Sequence, residues 1–195
     1  YLVETQRQVF DLLNQLSENG PRPDLLTAGE ELCRGRLNIS MPCGWNELRP
    51  DEKCDLLIKL MDRPIRVCGM VRNLGEPGGG PFWVKTADGG ESLQIVEEAQ
   101  VDLGSDDQRC AWQGSTYFNP VDLVCGVRDY RGRKFDLGHF ADPDDYFISV
   151  KTLENREVKA LELPGLWNGS MAFWNTIFIE VPIETFNPVK EVRDL

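Results

Sequence analysis

Two strand-like runs, Ile65–Val71 and Phe82–Lys85, are joined by the segment Gly75-Glu76-Pro77-Gly78-Gly79-Gly80-Pro81-Phe82-Trp83. Consecutive glycines lose much backbone entropy on ordering, so a folded protein retains them where φ must be positive or where a ligand approaches the main chain. The segment lacks the Gly-Lys-Ser/Thr of a Walker loop and the Gly-x-Gly-x-x-Gly of a dinucleotide fingerprint. We therefore predict a loop on a sheet, which is either a plain turn or part of a ligand site.

The residues before this loop are predicted to be helical. Apolar residues recur at helical spacing from about residue 1 to residue 16, and Asn19-Gly20-Pro21 ends the pattern. A second helix is expected from Asp24 to Cys33. A third begins at Pro50, which suits a first-turn position, and it has one apolar face formed by Cys54, Leu57, Ile58 and Met61.

After Arg63-Pro64 the pattern changes to alternation and to β-branched residues, which predicts strands. Besides the first two runs, strands are expected at Leu93–Val96, Val121–Val127, Tyr146–Val150 and Thr176–Val181, with a tight turn at Asp88-Gly89-Gly90. We predict an α/β protein, a mixed sheet with flanking helices. It would consist of a helical segment (1–62) and a mixed α/β body (63–195).

Composition and charge restrict the possible functions. The net charge of −11 disfavours binding to a nucleic-acid backbone, which requires a basic face. The apolar runs are too short to span a membrane, and no secretory signal opens the chain. The six cysteines include no C-x-x-C pair, which disfavours zinc and favours a reduced, cytoplasmic protein. Because the chain lacks an initiating Met, we expect it to be a fragment of a longer protein, whose remainder would be its partner.

Several segments contain side chains that suit ligand binding. Glu97 and Glu98 end a strand, where a carboxylate can accept hydrogen bonds from sugar hydroxyls or simply face water. Asn119 precedes a proline and is held extended, so its amide either meets a ligand or stabilises a turn. Aromatic residues adjoin amides in Leu161–Gly169 and Phe173–Asn175, which suits a carbohydrate or a core edge. Lys190 follows an apolar strand and can neutralise a phosphate or project into water.

Nucleophilic catalysis has little support. There is no Gly-x-Ser-x-Gly elbow, and the single histidine, His139, lies in a polar stretch. A cysteine hydrolase that uses Cys125 and His139 remains an alternative.

The segments from Arg63 onward resemble the C-terminal part of an uncharacterised bacterial family, domain of unknown function four-three-zero-one. The resemblance rests on Arg63–Val71, the glycine loop, Phe118-Asn119-Pro120-Val121-Asp122-Leu123-Val124-Cys125 and the block from Glu162 to Lys190. That family in turn is similar to UDP-N-acetylhexosamine pyrophosphorylases of the nucleotide-diphospho-sugar transferase fold. Ile95-Val96-Glu97-Glu98-Ala99-Gln100 resembles their Val-Val-Glu-Tyr-Ser-Glu strand, and Glu184–Lys190 resembles their Glu-Phe-Ser-Pro-Leu-Lys-Asn segment.

This resemblance implies roles for particular residues. Gly78, Gly79 and Gly80 would let a ligand approach the backbone, Glu97 and Asn119 would bind sugar hydroxyls, and Lys190 would be the catalytic residue that meets phosphate. Glu98-Ala99-Gln100 replaces Tyr-Ser-Glu, so the sugar specificity does not carry over. The glycine-rich nucleotide loop and the metal-binding aspartate of such enzymes belong to an N-terminal half that this chain does not contain.

The function expected from the resemblance is the sugar-phosphate-binding part of a sugar-1-phosphate nucleotidyltransferase. The partners would be a sugar-1-phosphate and a nucleoside triphosphate, with Mg²⁺ held mainly by the missing half. Two alternatives remain: a non-catalytic sugar or sugar-nucleotide binding protein of the same fold, and a structural or interaction module.

Overall fold

The structure is a computed structural model that describes residues 1–75, 78–86, 89–166 and 168–186. Within these residues the helices are α1 (Leu2–Asn19), α2 (Pro23–Gly35), α3 (Pro50–Met61) and α4 (Asp106–Gln113). The strands are β1 (Ile65–Arg72), β2 (Gly80–Lys85), β3 (Glu91–Val96), β4 (Tyr117–Phe118), β5 (Leu123–Gly126), β6 (Phe147–Leu153), β7 (Arg156–Glu162) and β8 (Asn175–Glu180). The mixed α/β class predicted from the sequence is confirmed.

The first three helices form one layer over the sheet. Val9, Leu12, Leu13 and Leu16 of α1 are buried, and Gly20, with φ of 69°, ends the helix where its hydrophobic pattern stops. Pro23 and Pro50 occupy the first turns of α2 and α3, where a missing N–H costs nothing. These helices share one core with the sheet, through Ile65 of β1 and Ile177 of β8.

Strand β1 lies at the centre of the main sheet. It pairs in parallel with β8 over residues 65–70 and antiparallel with β5 over residues 65–68, so these two neighbours lie on opposite edges of it. Strand β4 pairs antiparallel with the last two residues of β1. The sheet is therefore mixed, as expected, and its central strand is buried on both faces.

The second face of β1 is covered by the hairpin of β2 and β3. Cys68 and Met70 pack against Ile95 of the hairpin in a smaller apolar cluster. Arg66 is also buried on this face, and its guanidinium donates to Thr176 Oγ1 at 2.8 Å and to Gln94 Oε1 at 2.8 Å. The side chain of Arg66 thus links β1 by hydrogen bonds to β8 and to the β2–β3 hairpin, which follows the glycine loop.

Within the described residues, one helix and two strands were not predicted from the sequence, and several predicted boundaries differ by a few residues. Helix α4 and strands β4 and β7 were not predicted, and the strand expected at Val121–Val127 is shorter than predicted. It begins only at Leu123 because Val121 has a positive φ of 71°, which breaks the extended conformation. Asp88 of the predicted turn lies outside the described residues.

Candidate functional site

A cleft of about 660 Å³ opens beside the glycine loop. One wall is formed by the loop and the start of β2, through Gly75, Gly78 and Gly80, and another by Glu97, Glu98 and Ala99 after β3. Because β2 and β3 pair antiparallel with Gly80 opposite Val96, the sheet register itself brings the loop next to these carboxylates. Two of the three glycines predicted from the sequence, and Glu97, therefore lie in one cleft.

The three consecutive glycines differ in what they contact. A Cβ on Gly80 would lie 3.0 Å from the Tyr117 carbonyl oxygen and 3.1 Å from Ser115 Oγ, so a side chain there would require the far wall to shift by a few tenths of an ångström. Gly79 faces away from the cleft, and a Cβ there would lie 2.6 Å from Ile95 Cγ2. Gly79 is therefore required for packing behind the loop, whereas Gly78 and Gly80 line the cleft.

Glu97 is positioned by the short turn that follows β3. Its backbone N–H donates to Gln100 Oε1 at 2.9 Å, and residues Glu98–Gln100 form one turn of 3₁₀ helix. Glu97 is half-buried and Glu98 is exposed. The turn thus fixes two adjacent carboxylates at the cleft, where they can accept hydrogen bonds from ligand hydroxyls.

Aromatic and amide side chains complete the cleft: Trp112 and Gln113 from α4, Ser115 and Tyr117 after it, and Asn73 after β1. The Trp112 ring stacks on Phe82 of β2, with centroids 5.6 Å apart and planes 16° from parallel. The Tyr117 hydroxyl donates to Glu180 Oε2 at 3.0 Å, and the Arg72 guanidinium lies 5.5 Å from the Tyr117 ring centroid. These contacts hold both aromatic rings in fixed positions.

The sequence reasoning missed these residues because α4 has no apolar pattern. No residue of α4 is buried, so the periodicity that reveals α1 to α3 is absent there. The usable signal was Ser105 followed by Asp106 and Asp107, a typical helix start with acidic residues in the first turn.

Asn119 lies behind the cleft and does not line it. Its side chain is 3% exposed; Nδ2 donates to the Gly69 carbonyl at 2.7 Å and Oδ1 accepts from the Val121 N–H at 2.9 Å. Between β4 and β5, four residues of the edge strand oppose two residues of β1, and the Asn119 amide supplies the sheet hydrogen bond that this bulge would otherwise lack. The backbone N–H of Asn119 donates to the Gly79 carbonyl at 2.8 Å, which anchors the glycine loop from behind.

The aromatic–amide segments also lie away from the cleft. Asn168 donates to the carbonyls of Asp145 and Leu163, and Asn175 donates to those of Leu60 and Met61. Both amides thus donate to backbone carbonyls at the ends of loops and helices. These segments fit the second interpretation of their sequence, the edge of the core, better than a carbohydrate site. Trp167 and Lys190 lie outside the described residues.

The cleft is acidic rather than basic. Among the described residues that line it there is no lysine or arginine. Arg72 lies behind Tyr117 and forms an ion pair with Glu180 at 3.5 Å. In the described part of the chain, no group of three or more His, Cys, Asp or Glu side chains could hold a metal ion.

Cys125 and His139 show no arrangement for nucleophilic catalysis. Burial raises the pKa of the Cys125 thiol, with a smaller opposing effect from Arg66, so the thiolate is disfavoured. His139 is exposed and lies 3.8 Å from Asp136.

Comparison with known proteins identifies a family but no activity. A family model described as a domain of unknown function, DUF4301, matches residues 1–195. No curated protein matches the sequence. Within the described residues, no helix combines the length and apolarity needed to cross a bilayer.

Three solved structures of UDP-glucose pyrophosphorylase variants from Leishmania major show a weak likeness, and two of them contain UDP-glucose. Sequence identity is 16–18% and TM-scores are 0.39–0.41. The matches cover 74–88% of this chain but only 32–40% of those chains. Likeness at this level does not establish a shared activity.

Proposed function

The chain belongs to the DUF4301 family, and we propose that its cleft binds the sugar of a sugar phosphate or sugar nucleotide. One observation carries the proposal: carboxylates, amides, fixed aromatic rings and closely approaching glycine backbone all border the same cleft. This is the donor, acceptor and stacking set that a carbohydrate requires.

Each part of the ligand would have a matching group. Glu97 would accept hydrogen bonds from hydroxyls, and Asn73 and Gln113 can both donate and accept. The Trp112 ring would pack on an apolar sugar face. No described lining residue is cationic, and we propose that Lys190 neutralises the charge of the phosphate.

In the full-length protein we propose that this cleft forms the acceptor side of a sugar-1-phosphate nucleotidyltransferase. A phosphate oxygen of the sugar-1-phosphate would form a bond to the α-phosphorus of a nucleoside triphosphate, and the bond to pyrophosphate would break. Such transfer depends mainly on positioning and charge neutralisation. The residues of this chain would bind and orient the sugar phosphate, while Mg²⁺ and the nucleotide site are assigned to the remainder of the protein.

The binding proposal is tested by calorimetric titration and thermal shift of the full-length protein with sugar-1-phosphates and nucleoside triphosphates, with Mg²⁺ present. Trp112→Ala and Glu97→Gln should each weaken sugar-phosphate binding about 10-fold or more, roughly 1.4 kcal/mol or more. The matched controls are Trp83→Ala and Glu91→Gln, which change exposed residues of the β2–β3 hairpin that do not line the cleft. No ligand-dependent stabilisation, or equal losses in the controls, would refute binding in this cleft.

Catalysis is tested separately by pyrophosphate release. Lys190→Ala should lower transfer by roughly 10²-fold, about 2.7 kcal/mol, while Lys134→Ala at an exposed site should not. Unchanged turnover in Lys190→Ala would remove that residue from the mechanism. Saturable binding without pyrophosphate release would instead identify a sugar or sugar-nucleotide binding protein.

A further inference from the structure

Strands β6 and β7 form a hairpin whose strands, within the described residues, pair only with each other. The turn consists of Glu154 and Asn155, whose φ values of 48° and 61° suit the type I′ turn of a two-residue hairpin. An isolated two-stranded hairpin is at best marginally stable in water. Among the described strands, none pairs with the outer edge of β7.

One face of the hairpin exposes apolar side chains beside Glu157 and Lys159. Ile148, Val150 and Leu161 are 63%, 59% and 61% exposed, and the cross-strand register places them on the same face. Exposed apolar groups next to unpaired strand edges mark a site where another strand can add.

The hairpin is also neutral in a strongly acidic chain. Residues 147–162 contain three basic side chains (Lys151, Arg156, Lys159) and three acidic ones (Glu154, Glu157, Glu162), so their formal charge is zero, whereas the whole chain carries −11. Two copies that meet here avoid most of the repulsion that other faces would produce.

The outer edge of β7 carries one acidic and one basic side chain, Glu157 and Lys159, which are available to pair with a partner strand. In a hairpin closed by a two-residue turn, Leu153 and Arg156 exchange hydrogen bonds, and so do Lys151 and Val158. The backbone groups of Glu157 and Lys159 consequently point outward along the open edge. Lys151 is bonded to Glu162 within the hairpin, but Glu157 and Lys159 have no ion-pair partner among the described residues.

We propose that β7 pairs antiparallel with β7 of a second copy, with Val158 at the two-fold axis. This register places Glu157 of each copy opposite Lys159 of the other, so two opposite-charge pairs form on the same face. Shifting the register by one hydrogen-bonded step in either direction places Lys159 opposite Lys159, or Glu157 opposite Glu157. Charge therefore selects one register, and the product is a continuous four-stranded sheet in which the exposed apolar side chains of both copies lie on one face, on either side of the two ion pairs.

The test is a charge swap on the full-length protein, followed by sedimentation equilibrium. Because the contact is small beside a standard interface, we expect a dissociation constant of order 100 µM for the unmodified protein. Lys159→Glu or Glu157→Lys alone places like charges opposite each other at both positions and should weaken dimerisation at least about 10-fold. The double variant Glu157→Lys/Lys159→Glu restores both pairs and should dimerise like the unmodified protein.

Mixing the two single variants provides a second test, because each offers the charges that the other lacks, and a heterodimer should form. Circular dichroism checks that each exposed-site variant is folded. A protein that stays monomeric up to about 1 mM overturns the proposal. Single variants that dimerise as well as the unmodified protein also overturn it, since the contact then lies on another surface, such as the β6 edge.

Discussion

Replacing Asn119 with alanine tests whether this residue stabilises the bulge or contacts the ligand. In the structure the side chain makes two hydrogen bonds of normal length, to the Gly69 carbonyl and from the Val121 N–H. It also spans the gap left by Pro120, which has no N–H to donate to the sheet. We expect Asn119→Ala to lower the free energy of unfolding and to weaken sugar binding only as far as the loop loosens.

The magnitude follows from these contacts. Two lost hydrogen bonds account for about 2 kcal/mol, and the buried Gly69 carbonyl, left without a partner, adds about 1–2 kcal/mol. Part of this loss is recovered if Val121 leaves its positive φ, because such strain is worth about 1–3 kcal/mol. The expected net loss is about 1–4 kcal/mol.

The assay is urea unfolding at pH 7, followed by tryptophan fluorescence. The control is Asn19→Ala, which removes an exposed amide that donates to the Gln15 carbonyl at 3.0 Å and should cost about 0.5 kcal/mol or less. A loss below about 1 kcal/mol in Asn119→Ala, together with complete loss of sugar binding, would refute the structural role and restore direct ligand contact.

Two further predictions concern the thiols and Asp129. Under native conditions a thiol reagent should modify the exposed Cys43 and Cys110 quickly but leave Cys33 unmodified, because burial raises the pKa of the Cys33 thiol to about 12; rapid modification of Cys33 would contradict its buried position. Burial raises the pKa of Asp129, but hydrogen bonds from Arg133 and Arg131 outweigh this effect and lower it overall. The stabilisation is fully present above the unfolded pKa of about 3.9 and is lost as pH falls from there through the lower folded pKa, so Asp129→Asn should destabilise the protein at pH 7 and progressively less as pH falls below about 3.9; a loss that does not shrink over this range in urea unfolding would contradict this.

The elements that could be predicted from the sequence are those whose buried face produces a regular spacing of apolar residues along the chain. Helices α1 to α3 each place an apolar stripe against the same core, so their periodicity is visible without tertiary information. Strand β7 was not predicted because the segment Arg156-Glu157-Val158-Lys159 is exposed and mostly charged. Its strand conformation depends on pairing with β6. Helix α4 was not predicted for the same physical reason, since none of its residues is buried.

Only part of the candidate site could be predicted from the sequence. Gly80 and Glu97 were predictable as neighbours because two paired strands place them together, but Trp112 and Tyr117 reach the cleft only through tertiary packing of elements with no sequence pattern. Asn119 stands out in the sequence as an amide before a proline, and in the structure its side chain bonds to backbone groups. An amide held extended is equally suited to a ligand and to a sheet bulge, and the choice depends on the register of strands far apart in the chain.

Contacts on the side of the glycine loop that faces away from the cleft hold the loop in position. Gly79 packs on Ile95 too closely for any side chain, and its carbonyl accepts the N–H of Asn119. Both contacts lie on the side away from the cleft, so they exist before anything binds. Since Gly78 and Gly80 flank this fixed residue, their backbone faces the cleft without further ordering. A ligand would therefore lose little affinity to ordering the described part of the loop, and the glycines that look most flexible in the sequence would form the most preorganised wall of the site.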